Sequence, residues 1–300
     1  MPITPTRIFH VNINCSDLER SLAFYRDLVG LTATTRTRPE APQPGGAFGL
    51  EEVQWDAWMM RGGRDQTSPV LDLLEWTVPT PAGQPVSDPT APGLNRLCIA
   101  TPDVDAQYER LLTAGADVWS EPVEVELAGG RLTKMFICGD PDGTQLEFLS
   151  GRDARLSHIA INCTDLDRST RYYADVIGLT PIATIEPTTQ AARLFRLERD
   201  GQLQASLLQD PGSGFIVELI EWLEPIPRAA PPRAANELGI FRMAWITDDI
   251  DADYDTLDEA GVDCYAPPAT LTMGPTLPSV RALFWNDPDG ACLELIESPV

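Results

Sequence analysis

Residues 9–32, FHVNINCSDLERSLAFYRDLVGLT, return at 157–180 as SHIAINCTDLDRSTRYYADVIGLT. His10 matches His158, Asp17 matches Asp165, Tyr25 matches Tyr173 and Gly30 matches Gly178. The offset (158 − 10 = 148 residues) is about half of the 300-residue chain, which indicates a duplicated domain rather than a short-period solenoid. The two copies carry the only two histidines of the protein. Within each copy, apolar and polar residues alternate before the Asp. His10, Asn12 and Asn14 fall on one strand face and Val11, Ile13 and Cys15 on the other. Ser16 with Glu19 forms a capping-box pattern, and Leu18, Leu22, Tyr25 and Leu28 mark one face of a helix that stops near Gly30.

Strands are expected at 31–37, 48–60 and 70–76, so the unit is β-α-β-β-β. A proline-rich connector, 77–93, leads to a weaker copy: strand 95–101, helix 103–114, strands 118–126 and 132–138. The turn Asp140-Pro-Asp-Gly143 then feeds a last strand, 144–149. The second half repeats this plan. It has strand 156–163, helix 165–177 and strands near 181–186, 192–199, 203–208 and 215–222, then connector 224–232. Strand 241–247, helix 249–260 and a hairpin through Asp287-Pro-Asp-Gly290 complete it. The fold class is therefore α+β, four β-α-β-β-β units (7–76, 95–149, 156–222 and 239–297) in two domains, 1–150 and 155–300.

Composition bounds the function. Hydrophobic residues make up 43% of the chain, enough for a real core, and no run approaches the ~18 apolar residues of a membrane span. The net charge of −23 argues against nucleic-acid or anionic-membrane partners. Residues 1–10 lack a charged segment followed by an apolar run, so no signal peptide is expected. The six cysteines show no CxxC spacing, which suits buried thiols in a reducing cytoplasm. Gly45-Gly46 and Gly129-Gly130 read as loop glycines rather than phosphate cradles.

The H-x6-D-L-x-R-S-x3-Y opening and the D-P-D-G-x3-E close of each half resemble the vicinal oxygen chelate superfamily, which includes glyoxalase I, extradiol dioxygenases and bleomycin-resistance proteins. The resemblance covers nearly the whole chain. It implies paired units forming cup-shaped mixed sheets around a cavity. It also implies a ligand set with one residue on the first and one on the last strand of each unit: His158, Glu218, Arg242 and Glu294 in the second half, with a second set, His10, Asp72, Arg96 and Glu147, in the first.

Both halves place an arginine, Arg96 or Arg242, where a metal-dependent relative carries its second histidine. A guanidinium cannot ligate a cation and competes for the carboxylates. Two readings stand side by side: one divalent metal ion on His158, Glu218 and Glu294, or a metal-free pocket in which Arg242 holds an anionic oxygen and His158 moves a proton. The missing histidine argues against glyoxalase I itself. Phe284-Trp285-Asn286, with no tyrosine before the Asp287 turn, argues against an extradiol dioxygenase.

The expectation is a small-molecule isomerase, epimerase or lyase, monomeric or homodimeric, with its main site in the second half and substrate contacts from Trp222, Asn162 and Trp245. The alternatives are a protein that sequesters a planar aromatic compound between tryptophans such as Trp76 and Trp222, and a scaffold whose cavities only maintain the fold.

Overall fold

The computed structural model describes residues 2–63, 65–126, 132–228 and 233–297. Gly129-Gly130 and part of the second connector lie outside the described residues. The first unit comprises β1 (Arg7–Asn14), α1 (Leu18–Ala23) extended by a π-helical turn Phe24–Val29, β2 (Thr32–Thr37), the short β3 (Gln43–Pro44), β4 (Glu52–Arg61) and β5 (Val70–Val78). The second has β6 (Gly93–Thr101), α2 (Val104–Thr113), β7 (Val123–Glu126), β8 (Leu132–Gly139) and β9 (Gln145–Ser150). The third runs β10 (Arg155–Cys163), α3 (Leu166–Tyr172) with a π-helical turn Tyr173–Ile177, β11 (Thr180–Gln190), α4 (Ala192–Phe195), β12 (Gly201–Gln209) and β13 (Ile216–Glu224). The fourth has β14 (Gly239–Ile246), α5 (Ile250–Glu259), β15 (Ala269–Leu271), β16 (Val280–Asn286) and β17 (Cys292–Glu297).

The units pair into two curled mixed sheets, and the pairing crosses the halves. One sheet has the order β15-β16-β17-β14-β1-β5-β4-β2 and joins unit one to unit four through the antiparallel pair β1–β14. The other has the order β11-β12-β13-β10-β6-β9-β8-β7 and joins unit two to unit three through β6–β10. Neither 1–150 nor 155–300 therefore closes a cup by itself, and each cup takes one unit from each half.

What ties units one and two together is the repeated motif itself. The Tyr25 hydroxyl donates to Asp140 Oδ2 at 2.9 Å, and Ser16 and Arg20 both donate to Asp142. Tyr173 donates to Asp287, and Thr164 and Arg168 to Asp289, in the other half. The opening and closing motifs of each half thus meet on the helix-covered side of the sheets.

The alternation read in β1 is observed. Val11, Ile13 and Cys15 are buried in the main core with the helices, and His10 and Asn12 take the opposite, concave face. Two local readings change. Asp17, not Ser16, caps α1, because its carboxylate accepts from Arg20 N at 2.9 Å and Ser16 is committed to Asp142. Residues 192–199, expected as strand, begin as α4 instead, with Asp200 Oδ1 accepting the Ala192 N–H. Consecutive Leu194 and Phe195 both enter the second cup, which alternating strand geometry does not allow. All six cysteines are free thiols, and no described helix is long and apolar enough to cross a membrane.

Candidate functional site

In the first cup, adjacent strands β17, β14, β1 and β5 present Glu294, Arg242, His10 and Asp72 to the concave side. Parallel register sets Asn12 beside Asp72, and Asn12 Nδ2 donates to Asp72 Oδ2 at 3.2 Å. Arg242 clamps both carboxylates: Nε donates to Glu294 Oε2 at 2.7 Å and Nη2 to Asp72 Oδ2 at 2.8 Å. His10 Nε2 faces the same two oxygens, 3.2 Å from Glu294 and 3.9 Å from Asp72. Neither contact is aligned as a hydrogen bond, so both ring nitrogens of His10 are buried without a partner. Asp72 Oδ1 and Arg242 Nη1 are likewise buried and unpaired.

Burial alone would raise the Glu294 carboxyl, but Arg242 and His10 outweigh it and hold the group below the ordinary glutamate value. Burial would lower Arg242, but Glu294 and Asp72 outweigh it and hold the guanidinium firmly charged. Over this quartet lies a cavity of about 290 Å³ whose walls include Phe9, Phe48, Trp55, Met59, Leu271 and Met273. Trp55 was accessible to period-two reading, since Trp55, Ala57 and Met59 share one face of β4. The unit-four wall was not, because only the crossed pairing brings it here.

The second cup gathers His158, Glu218, Arg96 and Glu147 from β10, β13, β6 and β9. Arg96 Nε donates to Glu147 Oε2 at 2.7 Å, and His158 Nε2 lies 3.5 Å from Glu218 and 3.7 Å from Glu147. Burial would lower the His158 imidazole, but Glu218 and Glu147 outweigh it and raise its proton affinity above the usual value. Burial would raise Glu218, and His158 and Arg96 hold it below its usual value. Part of this interior is filled. Leu194 and Phe195 of α4 pack with Ile137, Leu203 and Trp222, and the Phe195 ring lies 5.2 Å from the Arg96 guanidinium.

The site expected within the second half is therefore split. His158 and Glu218 share one cup, whereas Arg242 and Glu294 share the other with His10 and Asp72. Likewise Arg96 and Glu147 leave the first-half set and join His158. The reason is the strand order, in which β14 pairs with β1 rather than with β10. The three expected substrate contacts also change. Asn162 is buried and donates to the Pro89 and Ala91 carbonyls of the first connector. Trp245 belongs to the core beneath the helices. Trp222 packs edge-on against Phe195. Trp76, the other candidate stacking surface, donates to Asn14 Oδ1 at 3.1 Å within the core.

With this geometry in hand, comparison with known proteins decides the family. The chain matches the Glyoxalase/Bleomycin resistance protein/Dioxygenase superfamily over residues 7–148 and 155–295. It belongs to this superfamily. The uncharacterized protein YaeR of Escherichia coli (strain K12) is 30% identical over 143 residues, covering 48% of this chain and 95% of that protein. Glyoxalase I from Zea mays shares the fold, with a TM-score of 0.69 at 18% identity over 97% of this chain and 92% of that one. A putative dioxygenase from Bacillus subtilis does so with a TM-score of 0.64 at 14% identity, covering 99% and 87%.

Superfamily members often bind a divalent metal, and the donor sets of the two cups differ in how they meet the needs of such an ion. In the first cup they do not fit. The carboxylate oxygens nearest His10 Nε2 already accept from Arg242. A divalent ion about 4 Å from the guanidinium would be repelled by roughly 8 kcal/mol at an effective dielectric of about 20. In the second cup, ligand atoms of Cys98, Glu147 and His158 lie within 4.8 Å of one another. There the Cys98 thiol donates to Glu147, and burial raises it well above the usual thiol value, so it is held as a neutral thiol.

Proposed function

We propose that the first cup binds a small, apolar-bodied molecule carrying a carbonyl or anionic oxygen and isomerises or epimerises it by proton transfer at His10. The observation that carries this reading is the buried imidazole with two unpartnered nitrogens at the base of a half-open cavity. A buried polar group without a partner is costly, and the cost is recovered when a ligand supplies one.

In this reading, His10 takes a proton from the carbon next to the ligand's carbonyl. The electron pair of the broken C–H bond moves onto the oxygen, which Arg242 Nη1 stabilises as it becomes negative. The ionised Glu294, 3.2 Å from Nε2, stabilises the imidazolium that forms. Reprotonation at the opposite face, or at the neighbouring atom, after the abstracted proton has exchanged with solvent, gives an epimer or an isomer. No other reactant is consumed.

The test is exchange in D2O. Small aryl and branched-alkyl carbonyl acids are screened for binding through tryptophan fluorescence, and those that bind are followed by NMR for deuterium at the carbon next to the carbonyl. Exchange that His10→Gln abolishes with binding retained is the expected result, and exchange that survives His10→Gln refutes the assignment. The apolar wall formed by Phe9, Phe48, Trp55 and Met59 favours a second reading, sequestration without turnover. Tight binding with no exchange in the unaltered protein would select it.

A further inference from the structure

We infer that Arg242 takes the place of a divalent cation in the first cup, so that this cup is built to work on a guanidinium rather than a metal. The inference uses the same cavity as the proton-transfer reading but not its chemistry. Its test reads metal binding alone, so either can fail while the other stands.

Three observations carry it. The first is position: Arg242 lies on β14 between the histidine strand β1 and the glutamate strand β17, where the resemblance to metal-dependent relatives calls for a second histidine. The second is the use of lone pairs. A metal in this cup would draw on Asp72 Oδ2, Glu294 Oε2 and His10 Nε2 together. Arg242 points Nε and Nη2 at those two oxygens, and His10 Nε2 stands against the same pair. The guanidinium thus bridges the carboxylates as a cation would. Its fixed fork suits that bridge better than a lysine ammonium does. The third is the spare valence. A catalytic cation keeps a coordination position open for its ligand. Arg242 keeps one donor, Nη1, buried and unpaired.

The second cup supplies the internal contrast. Arg96 donates to Glu147, and among the hydrogen bonds of the described residues none joins it to Glu218, which faces His158 instead. The replacement is complete in one cup and partial in the other. The shorter carboxylate helps explain why: Asp72 is buried and held by Asn12 within reach of Arg242, whereas the longer Glu218 side chain extends to the half-buried His158.

The experiment is a cobalt(II) titration followed by visible absorption, with bound metal counted after dialysis, on the full chain and on His10→Gln, Arg242→His and Arg242→His/His10→Gln. Any cobalt held by the second cup is common to all four proteins. The unaltered protein and His10→Gln are expected to bind equal amounts. Arg242→His should gain about one further cobalt ion per chain, with the absorption of a low-symmetry nitrogen and oxygen site, and the double variant should lose it. Metal in the unaltered protein that His10→Gln removes would overturn the inference. So would a folded Arg242→His that gains nothing. If Arg242→His does not fold, Arg242→Gln, which removes the charge, must show a gain over the unaltered protein that His10→Gln cancels. Absence of that gain overturns the inference equally.

Discussion

Replacing Arg242 by Met keeps an unbranched side chain and removes its charge. It strands Asp72 and Glu294, both nearly inaccessible to solvent, without the donors they share. Breaking a buried ion pair by removing one partner costs about 3–5 kcal/mol. Two charge-assisted hydrogen bonds at about 1.5–3 kcal/mol each give the same scale.

The cost must depend on pH. In the unaltered protein Glu294 sits below its ordinary value, so its contribution is fully present above a pH of about 4.3 and is lost only as pH falls through the lower folded value. Between pH 5 and 8 it adds no slope. Without the guanidinium, the largest lowering influence on Glu294 is gone and burial is opposed by His10 alone, so the carboxyl is expected to retain a proton that the unfolded chain has released. Stability of the variant then falls by about 1.4 kcal/mol per pH unit until the folded pair ionises. The penalty measured by urea unfolding should therefore be larger at pH 8 than at pH 5, by about 2–3 kcal/mol over two such units. A penalty below about 1 kcal/mol at pH 8, or one equal at both pH values, would show that Arg242 does not compensate these carboxylates.

Tyr25→Phe removes the hydroxyl donor to Asp140, whose carboxyl burial already pushes up to about 6 despite its hydrogen bonds. A raised folded value favours the fold at low pH, so the substitution should cost about 1–3 kcal/mol at pH 8 and less at pH 5, again by urea midpoint. Phe195→Ala should empty part of the second cup at a cost of about 3–5 kcal/mol, and solvatochromic dye binding should appear where the unaltered protein shows none from that cup. In native protein one thiol, the half-buried Cys264, should react with a disulfide reagent, and slowly, because burial raises it to about 11, whereas all six should react in denaturant. Residues 2–150 expressed alone should elute as a self-associated species rather than a compact monomer, because β1 loses β14 and β6 loses β10, which leaves one edge of each strand unpaired.

The fold was legible because each half writes it with local signals: alternation in β1 and β10, the apolar helix face that follows, and the Asp-Pro-Asp-Gly turns. Period two correctly put His10, Asn12 and Asn14 opposite Val11, Ile13 and Cys15. The partners of each histidine were not legible. Tyr25 does touch the Asp140 turn of its own half, though 115 residues separate the two. Four residues beyond each turn, however, the last strand faces the other half's histidine, so Glu147 meets His158 and Glu294 meets His10. Strand order across about 150 residues depends on β1–β14 and β6–β10 register, which no periodicity within a unit encodes. The α4 helix was missed because AARLF is short and apolar, where strand and helix patterns cannot be told apart.

The crossed pairing has a consequence for what this chain is free to become. Two separate copies of one half, joined across a twofold axis, would hold two identical cups, and any change would alter both at once. Here the short junction near 151–154 turns that encounter into an intramolecular one with a high effective concentration. It also breaks the symmetry. One cup has kept an open chamber and a fully engaged arginine, and the other has taken a helix into its mouth and left its histidine partly exposed to water. Covalent fusion gave the protein two rooms that can be furnished separately.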